Sequence, residues 1–230
     1  MEAMANEVNS YGTQKEQVRQ YFDGDAFQRW AAISKGESKN FAQQKLIEGR
    51  QAIHRCLLDW IGPIKGKRLI DAGCGAGLLS ETFADQGAIV KGIDISQKMI
   101  QMAQNRNQGR DNLEFEVSDL LSACGEYDIL VSMDVVIHYP LSDMPKLLGH
   151  ILSLTKERAY ISFAPSTAWF RFLKMIGERM SGSSRTTSAY LHPMTDIERI
   201  LNELGYEITR EKLVSNIIYN SMLLEIKPKR

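Results

Sequence analysis

The chain predicts an α/β fold: a seven-stranded, mostly parallel sheet with an antiparallel last strand and helices on both faces. Three observations lead there. From residue 67 to 163, short apolar runs alternate with amphipathic segments at strand–helix spacing. Gly73, Gly75 and Gly77 form a glycine-spaced turn where the first of those strands hands over to a helix. The 230 residues are 43% hydrophobic and 24% charged, which fits one generous globular domain or a domain with an elaboration.

The elements follow in order. The first dozen residues are polar and are expected to fray. Thr13 and Glu16 form T-x-x-E, which predicts a short helix to about Phe22. Asp23-Gly24-Asp25 breaks it, and a second short helix runs through Phe27, Trp30 and Ile33 to end before Gly36. Ser38 is the expected cap of a longer helix with Phe41, Leu46, Ile53 and Leu57 near one face. Then come strand Arg68–Ala72, helix Leu78–Gln86, strand Ile89–Asp94, helix Ser96–Asn107 and strand Leu113–Val117. Strand Tyr127–Met133, helix Leu141–Leu154 and strand Ala159–Phe163 continue the alternation. Residues 165–190 interrupt it, with Trp169, Phe172, Leu173, Ile176 and Met180 at helical spacing before the polar loop SGSSRTTS. Thr195 and Glu198 repeat T-x-x-E ahead of a helix to Gly205. Strands near Tyr206–Leu213 and Ile217–Ile226, joined by a short turn, are expected to pair antiparallel. The expected division is an N-terminal helical arm over 1–62 and a core over 63–230, with 165–190 inserted as a lid on the core.

Composition removes several function classes. Lys plus Arg is 28 and Asp plus Glu is 28, so no net basic charge advertises a nucleic acid partner. Cys56, Cys74 and Cys124 are scattered without C-x-x-C, and the four histidines are dispersed, so no enzyme-bound metal is expected. Reduced thiols, no basic-then-apolar leader and no apolar run approaching ~20 residues predict a soluble cytoplasmic protein.

The chemistry concentrates in LIDAGCGAGLLS, residues 69–80. Asp71 ends a strand, and Gly73, Gly75 and Gly77 then open a helix. The G-x-G-x-x-G fingerprint fails in both registers, since the third position is Leu78 or Ser80, and no G-K-[ST] follows. Asp94 ends the second strand and, with Ile95 beside it, suits a ribose diol. Asp119 and Leu120 follow the third strand, and Met133-Asp134 ends the fourth.

D-x-G-x-G-x-G with this ordered series resembles motif I of the class I S-adenosylmethionine-dependent methyltransferases, a Rossmann-like fold. More narrowly, YDILVSMDVVIHYP at 127–140, VRQYF and FQRW near the start, SFAPST at 162–167 and SSRTTSAYLH at 183–192 resemble the magnesium-protoporphyrin IX O-methyltransferases of (bacterio)chlorophyll synthesis. That resemblance covers nearly the whole chain from about Val18. It implies S-adenosylmethionine held by Asp71, Gly73, Gly75, Gly77, Asp94, Ile95, Asp119, Leu120 and Met133. It implies methyl esterification of one propionate of Mg-protoporphyrin IX, with His138 and Tyr139 at the reaction centre. His138 either orients the carboxylate or approaches the porphyrin magnesium. Ser34 stands where relatives carry a tyrosine, so no role of that tyrosine transfers.

Trp169, Arg171, Lys174 and Arg185 in the insertion suit a flat, apolar, dianionic ligand. The same segment equally reads as an amphipathic helix packed on the sheet or as a peripheral membrane contact. The family also implies the large subunit of magnesium chelatase as a partner. The rival reading is an O-methyltransferase of another hydrophobic molecule, a quinone precursor or polyketide phenol. There His138 becomes a general base.

Overall fold

The computed structural model describes residues 2–24, 26–166 and 190–229, with side chains from Tyr11 onward. Seven strands form one sheet in the order β3-β2-β1-β4-β5-β7-β6. They are β1 Arg68–Ala72, β2 Ile89–Asp94, β3 Leu113–Val117, β4 Tyr127–Ser132, β5 Thr155–Phe163, β6 Tyr206–Ser215 and β7 Asn220–Pro228. The first five pair parallel, and β7 runs antiparallel to both β5 and β6. The strand order reverses direction between β1 and β4, which opens a crevice at the carboxyl ends of those two strands.

The helices are α1 Glu2–Asp23, α2 Ala26–Ser34, α3 Phe41–Ile61, α4 Leu78–Asp85, α5 Gln97–Arg106, α6 Met144–Ser153 and α7 Met194–Glu203. Alternation along the strands sends Leu69, Val90, Ile129 and Val131 to one face, where Ile53, Leu57 and Ile61 of α3 and Phe83 of α4 cover them. Ile70, Ile93 and Leu130 face the other side, beneath Leu147 and Ile151 of α6 and Ile200 of α7. The apolar runs of β1, β2 and β4 made their bounds legible to within a residue, whereas β5 begins at Thr155, four residues before the expected Ala159, because Lys156, Glu157 and Arg158 hide its exposed start, and β7 begins at Asn220, not Ile217.

The expected helix entries differ in four places, one of them at α6, where a 3₁₀ turn over Leu141–Asp143 precedes the start at Met144. Helix α1 begins at Glu2 instead of fraying to Thr13. Ala3, Met4, Ala5 and Glu7 are good helix formers and no proline intervenes, so Thr13 falls inside the helix. The cap of α3 is Asn40, whose side chain accepts from the Gln43 backbone N–H at 2.9 Å. Ser38 instead donates to the Gln44 side chain, and Phe41 is exposed, not on the buried face. Helix α7 starts two residues early, with Pro193 and not Thr195 at the cap position. At Ser34 the hydroxyl simply donates to the Ala31 carbonyl at 2.8 Å. Among the described residues no helix is long and apolar enough to cross a membrane.

Candidate functional site

The turn after β1 is built by backbone geometry. Gly73, Gly75 and Gly77 all have positive φ, at 86°, 54° and 76°. A Cβ on Gly73 would meet a Val135 methyl at 2.2 Å, and one on Gly77 would meet Phe115 at 2.6 Å. Gly75 differs, because a Cβ there would meet nothing within 4 Å. The turn therefore leaves room for a ligand at Gly75 and is packed tight on both sides. The Gly73 and Cys74 N–H groups donate to the Ile93 carbonyl at 2.7 and 2.9 Å, which ties this turn to the end of β2.

Two carboxyls converge on that turn. Asp94 accepts from the Gly75 N–H at 2.9 Å and the Ser96 N–H at 2.8 Å. Ser96 caps α5, so Asp94 itself is not the cap. Asp71, 2% exposed, accepts from the Ser80 hydroxyl at 2.6 Å behind the turn. Burial pushes the Asp71 carboxyl up to about 6, and the neighbouring Asp94 adds to the rise. Burial also pushes Asp94 up, against the opposing backbone donors. A buried acid and a half-buried one around the open space at Gly75 make a site with affinity for a cation and for hydroxyl donors. That donor set fits a nucleoside carrying a sulfonium. Ile95 is half-buried next to Asp94, while Leu120 and Met133 are buried at the ends of the neighbouring turns.

Asp119 caps a short 3₁₀ turn, Leu120–Ser122, and also anchors α1. The Tyr11 hydroxyl donates to one of its oxygens, and the Lys15 ammonium lies 3.2 Å from the other. Tyr139 is buried and stacks on Tyr11 with centroids 5.5 Å apart, which seats it in the packing beneath α1. Gln14 donates to the His138 carbonyl at 2.7 Å, and Asp23 accepts from the Ser96 hydroxyl at 2.7 Å. Helix α1 thus lies across the mouth of the crevice.

His138 ends a 3₁₀ turn just beyond β4. Its ring meets Phe22 edge-on at 5.3 Å, and its Nδ1 is buried without a hydrogen-bond partner among the described residues. Burial pushes this imidazole down to about 4; Asp134 opposes that fall and Arg50 adds to it. At neutral pH the ring is therefore uncharged.

Asp134 was legible in the sequence as the end of the fourth strand, but the partners that gather on it beside His138 were not. Asp134 holds φ at 58°, the one non-glycine residue in that region among those described. Its carboxylate accepts from the Ser162 and Ser221 hydroxyls at 3.0 Å each, and from the Tyr219 hydroxyl at 2.8 Å. Arg50 of α3 lies 3.5 Å from the same carboxylate and over the Trp30 ring at 5.3 Å. Gly49 makes this possible, since a Cβ there would sit 2.4 Å from the Tyr219 ring. A glycine inside a helix, followed by Arg50 and His54 one turn apart, was the available signal. Trp169, Arg171, Lys174, Arg185 and the rest of residues 167–189, nearly all of the expected 165–190 lid, lie outside the described residues. Among the described residues, no group of three His, Cys, Asp or Glu side chains could hold a metal ion.

Comparison with known proteins follows this geometry. A "Methyltransferase domain" model matches residues 69–158, the half that carries the glycine turn. A model for the C-terminus of magnesium-protoporphyrin IX methyltransferase matches residues 132–228, the half that carries Asp134, His138 and Tyr219. The chloroplastic magnesium protoporphyrin IX methyltransferase of Arabidopsis thaliana is 38% identical over 94% of this chain and 72% of its own length. The magnesium-protoporphyrin O-methyltransferase of Synechocystis is 38% identical over 90% of this chain and 94% of its own. The crystal structure of the Synechocystis enzyme with bound SAH superposes with a TM-score of 0.86 at 36% identity, covering 94% of this chain and 100% of that one. With the glycine turn in one matched half and the His138 pocket in the other, the chain belongs to the magnesium-protoporphyrin IX O-methyltransferase family.

Proposed function

We propose that this chain uses S-adenosylmethionine to methyl-esterify a propionate carboxylate of Mg-protoporphyrin IX. The observation that carries the reading is the uncharged, half-buried His138 beside an aromatic and cationic wall. Bound over Gly73–Gly77 with its ribose at Asp94, the cofactor supplies an electrophilic methyl on a positively charged sulfur. The remaining work falls to the chain. A propionate, with an ordinary pKa of ~4.3, is already ionised and needs no base. A neutral imidazole can donate one N–H to a carboxylate oxygen without competing for a proton. The rest of the acceleration comes from alignment and from excluding water, for which effective molarities reach ~10⁵–10⁸ M. Phe22, Trp30 and Tyr139 supply apolar surface for that exclusion.

The same observation weighs against a phenol acceptor. An imidazole held near 4 is a poor base for a phenol of pKa ~10, about six units away. Residues 1–62 act in this reading as an arm that covers the crevice of the 63–230 core. The chelatase subunit as donor of substrate, and a peripheral membrane contact, rest on the family resemblance and on the basic composition of 165–190.

The test supplies labelled S-adenosylmethionine with Mg-protoporphyrin, metal-free protoporphyrin or a catechol. Label should appear as an alkali-labile ester on the magnesium porphyrin. Transfer to the catechol alone rejects the proposal.

A further inference from the structure

Arg50 is a cation with capacity to spare. A guanidinium carries five donors and no acceptor. Its described polar contact is Asp134 at 3.5 Å, the outer edge of a hydrogen bond. Asp134 does not depend on it, being already served by three hydroxyls at 2.8–3.0 Å. The guanidinium lies over the Trp30 ring at 5.3 Å and beside Asp134, and its side chain keeps 28% of its surface open. A contact chain runs from it to the reaction centre: Arg50 on Trp30, Trp30 against Phe22 at 6.0 Å, Phe22 against His138 at 5.3 Å. An acidic ligand lying along that row of side chains would meet His138 at one end and Arg50 at the other.

Resting on the function proposed above, we propose that Arg50 is the specificity residue for the acceptor's second carboxylate, the one that is not methylated, with Asp134 as the residue that positions it. The assignment to the spare carboxylate follows from the charge change. A guanidinium on the reacting carboxylate would be attracted to a charge that disappears in the transition state, and so would slow the step. On a carboxylate that keeps its charge, the same contact binds ground and transition states alike. Planar, bidentate recognition of a carboxylate is what arginine does better than lysine.

The experiment uses the full chain with S-adenosylhomocysteine and follows porphyrin fluorescence during titration. The probes are Mg-protoporphyrin, its monomethyl ester product and its dimethyl ester. Wild type should bind the monomethyl ester roughly tenfold or more tightly than the dimethyl ester, the worth of a charge-assisted carboxylate contact. Arg50→Gln should bring that ratio close to one while its affinity for S-adenosylhomocysteine stays within about twofold of wild type. Should Arg50→Gln fail to fold, Arg50→Lys decides. Its ratio should fall at least about threefold, since one ammonium cannot form two parallel N–H bonds. An unchanged ratio in the folded variant overturns the role of Arg50. Wild-type protein that methylates Mg-protoporphyrin but binds both esters equally overturns it too, and leaves the function standing. Wild-type protein that binds none of the three porphyrins overturns both.

Discussion

Asp134 offers the sharpest test of how the acceptor side is held together. Three hydroxyls donate to its carboxylate, from Ser162 of β5 and from Tyr219 and Ser221 around the start of β7. Hydrogen bonds to a charged group contribute about 1.5–3 kcal/mol, against about 1 for neutral pairs. Asp134→Asn keeps the shape and tolerates the left-handed backbone. It downgrades three charge-assisted bonds and forces one hydroxyl to accept instead of donate, a loss of about 2–3 kcal/mol. The Arg50 pair adds under about 1 kcal/mol, because Arg50 is partly exposed and screened. Asp134→Ala strands the hydroxyls and puts a Cβ with no local partner at φ 58°, which adds about 1–2 kcal/mol of strain for a total of about 4–6. That is much of an ordinary domain's 5–15 kcal/mol. Asp134→Gly removes the same carboxylate without the strain and should sit about 1–2 kcal/mol above Asp134→Ala. Urea unfolding followed by tryptophan fluorescence, with the slope checked for constancy, measures all three. An Asn variant within about 0.5 kcal/mol of wild type would refute the hub, and a Gly variant no more stable than Ala would refute the strain.

The other predictions concern function. His138→Ala should lower turnover well beyond tenfold while calorimetry finds cofactor affinity nearly unchanged; wild-type turnover would return His138 to a packing role. Asp94→Ala should weaken S-adenosylmethionine binding by about 2–4 kcal/mol, since a ribose diol would lose two acceptor contacts of partly charged character, and unchanged affinity would reject the assignment. Cofactor affinity should also fall with pH. Asp71 titrates near 6 in the folded chain, and a cation at the turn favours its ionised form, so the proton must leave on binding. Affinity should be level above about pH 7 and decline toward about tenfold per unit below 6, with proton release seen as a buffer-dependent heat. A flat profile from pH 5 to 7.5 would sink that. Finally, backbone amides of residues 11–23 should gain hydrogen-exchange protection when cofactor and porphyrin bind, and equal protection in both states would mean α1 is static.

What the sequence revealed and what it hid divide along contact range. Strand bounds such as Arg68–Ala72 and Ile89–Asp94 were readable to the residue, because each is a local apolar run closed by a turn. The glycine turn with Asp94 was readable for the same reason, since its parts lie within some twenty residues and one motif. Caps were less secure. Ser38 and Asn40 both carry capping side chains two residues apart, and only the course of the chain decides which one meets an amide. Of the Arg50–Asp134–Tyr219 cluster only Asp134 was visible, as the acid that ends the fourth strand, and its partners were hidden. The members stand 84 and 85 residues apart and meet only because α3 and β7 come together where Gly49 admits the Tyr219 ring.

The reversal between β1 and β4 explains why the two halves of the site differ in kind. On the β1–β2–β3 side, the cofactor pocket is made from backbone turns and two acids, a solution that demands glycine and little else. On the β4–β5–β7 side, the proposed acceptor pocket is made from side chains of α1, α2, α3 and the start of β7, which is where specificity for one acceptor would be written. Helix α1 touches both halves, through Tyr11 and Lys15 to Asp119, Gln14 to the His138 carbonyl and Asp23 to Ser96. Part-buried polar contacts of this kind contribute about 1 kcal/mol each, so the helix is held by a handful of such ties together with the buried Tyr11 and Val18. Because those ties alternate between the two halves along one rigid element, a movement of α1 that opens the acceptor side also releases Asp119 and Ser96 on the cofactor side.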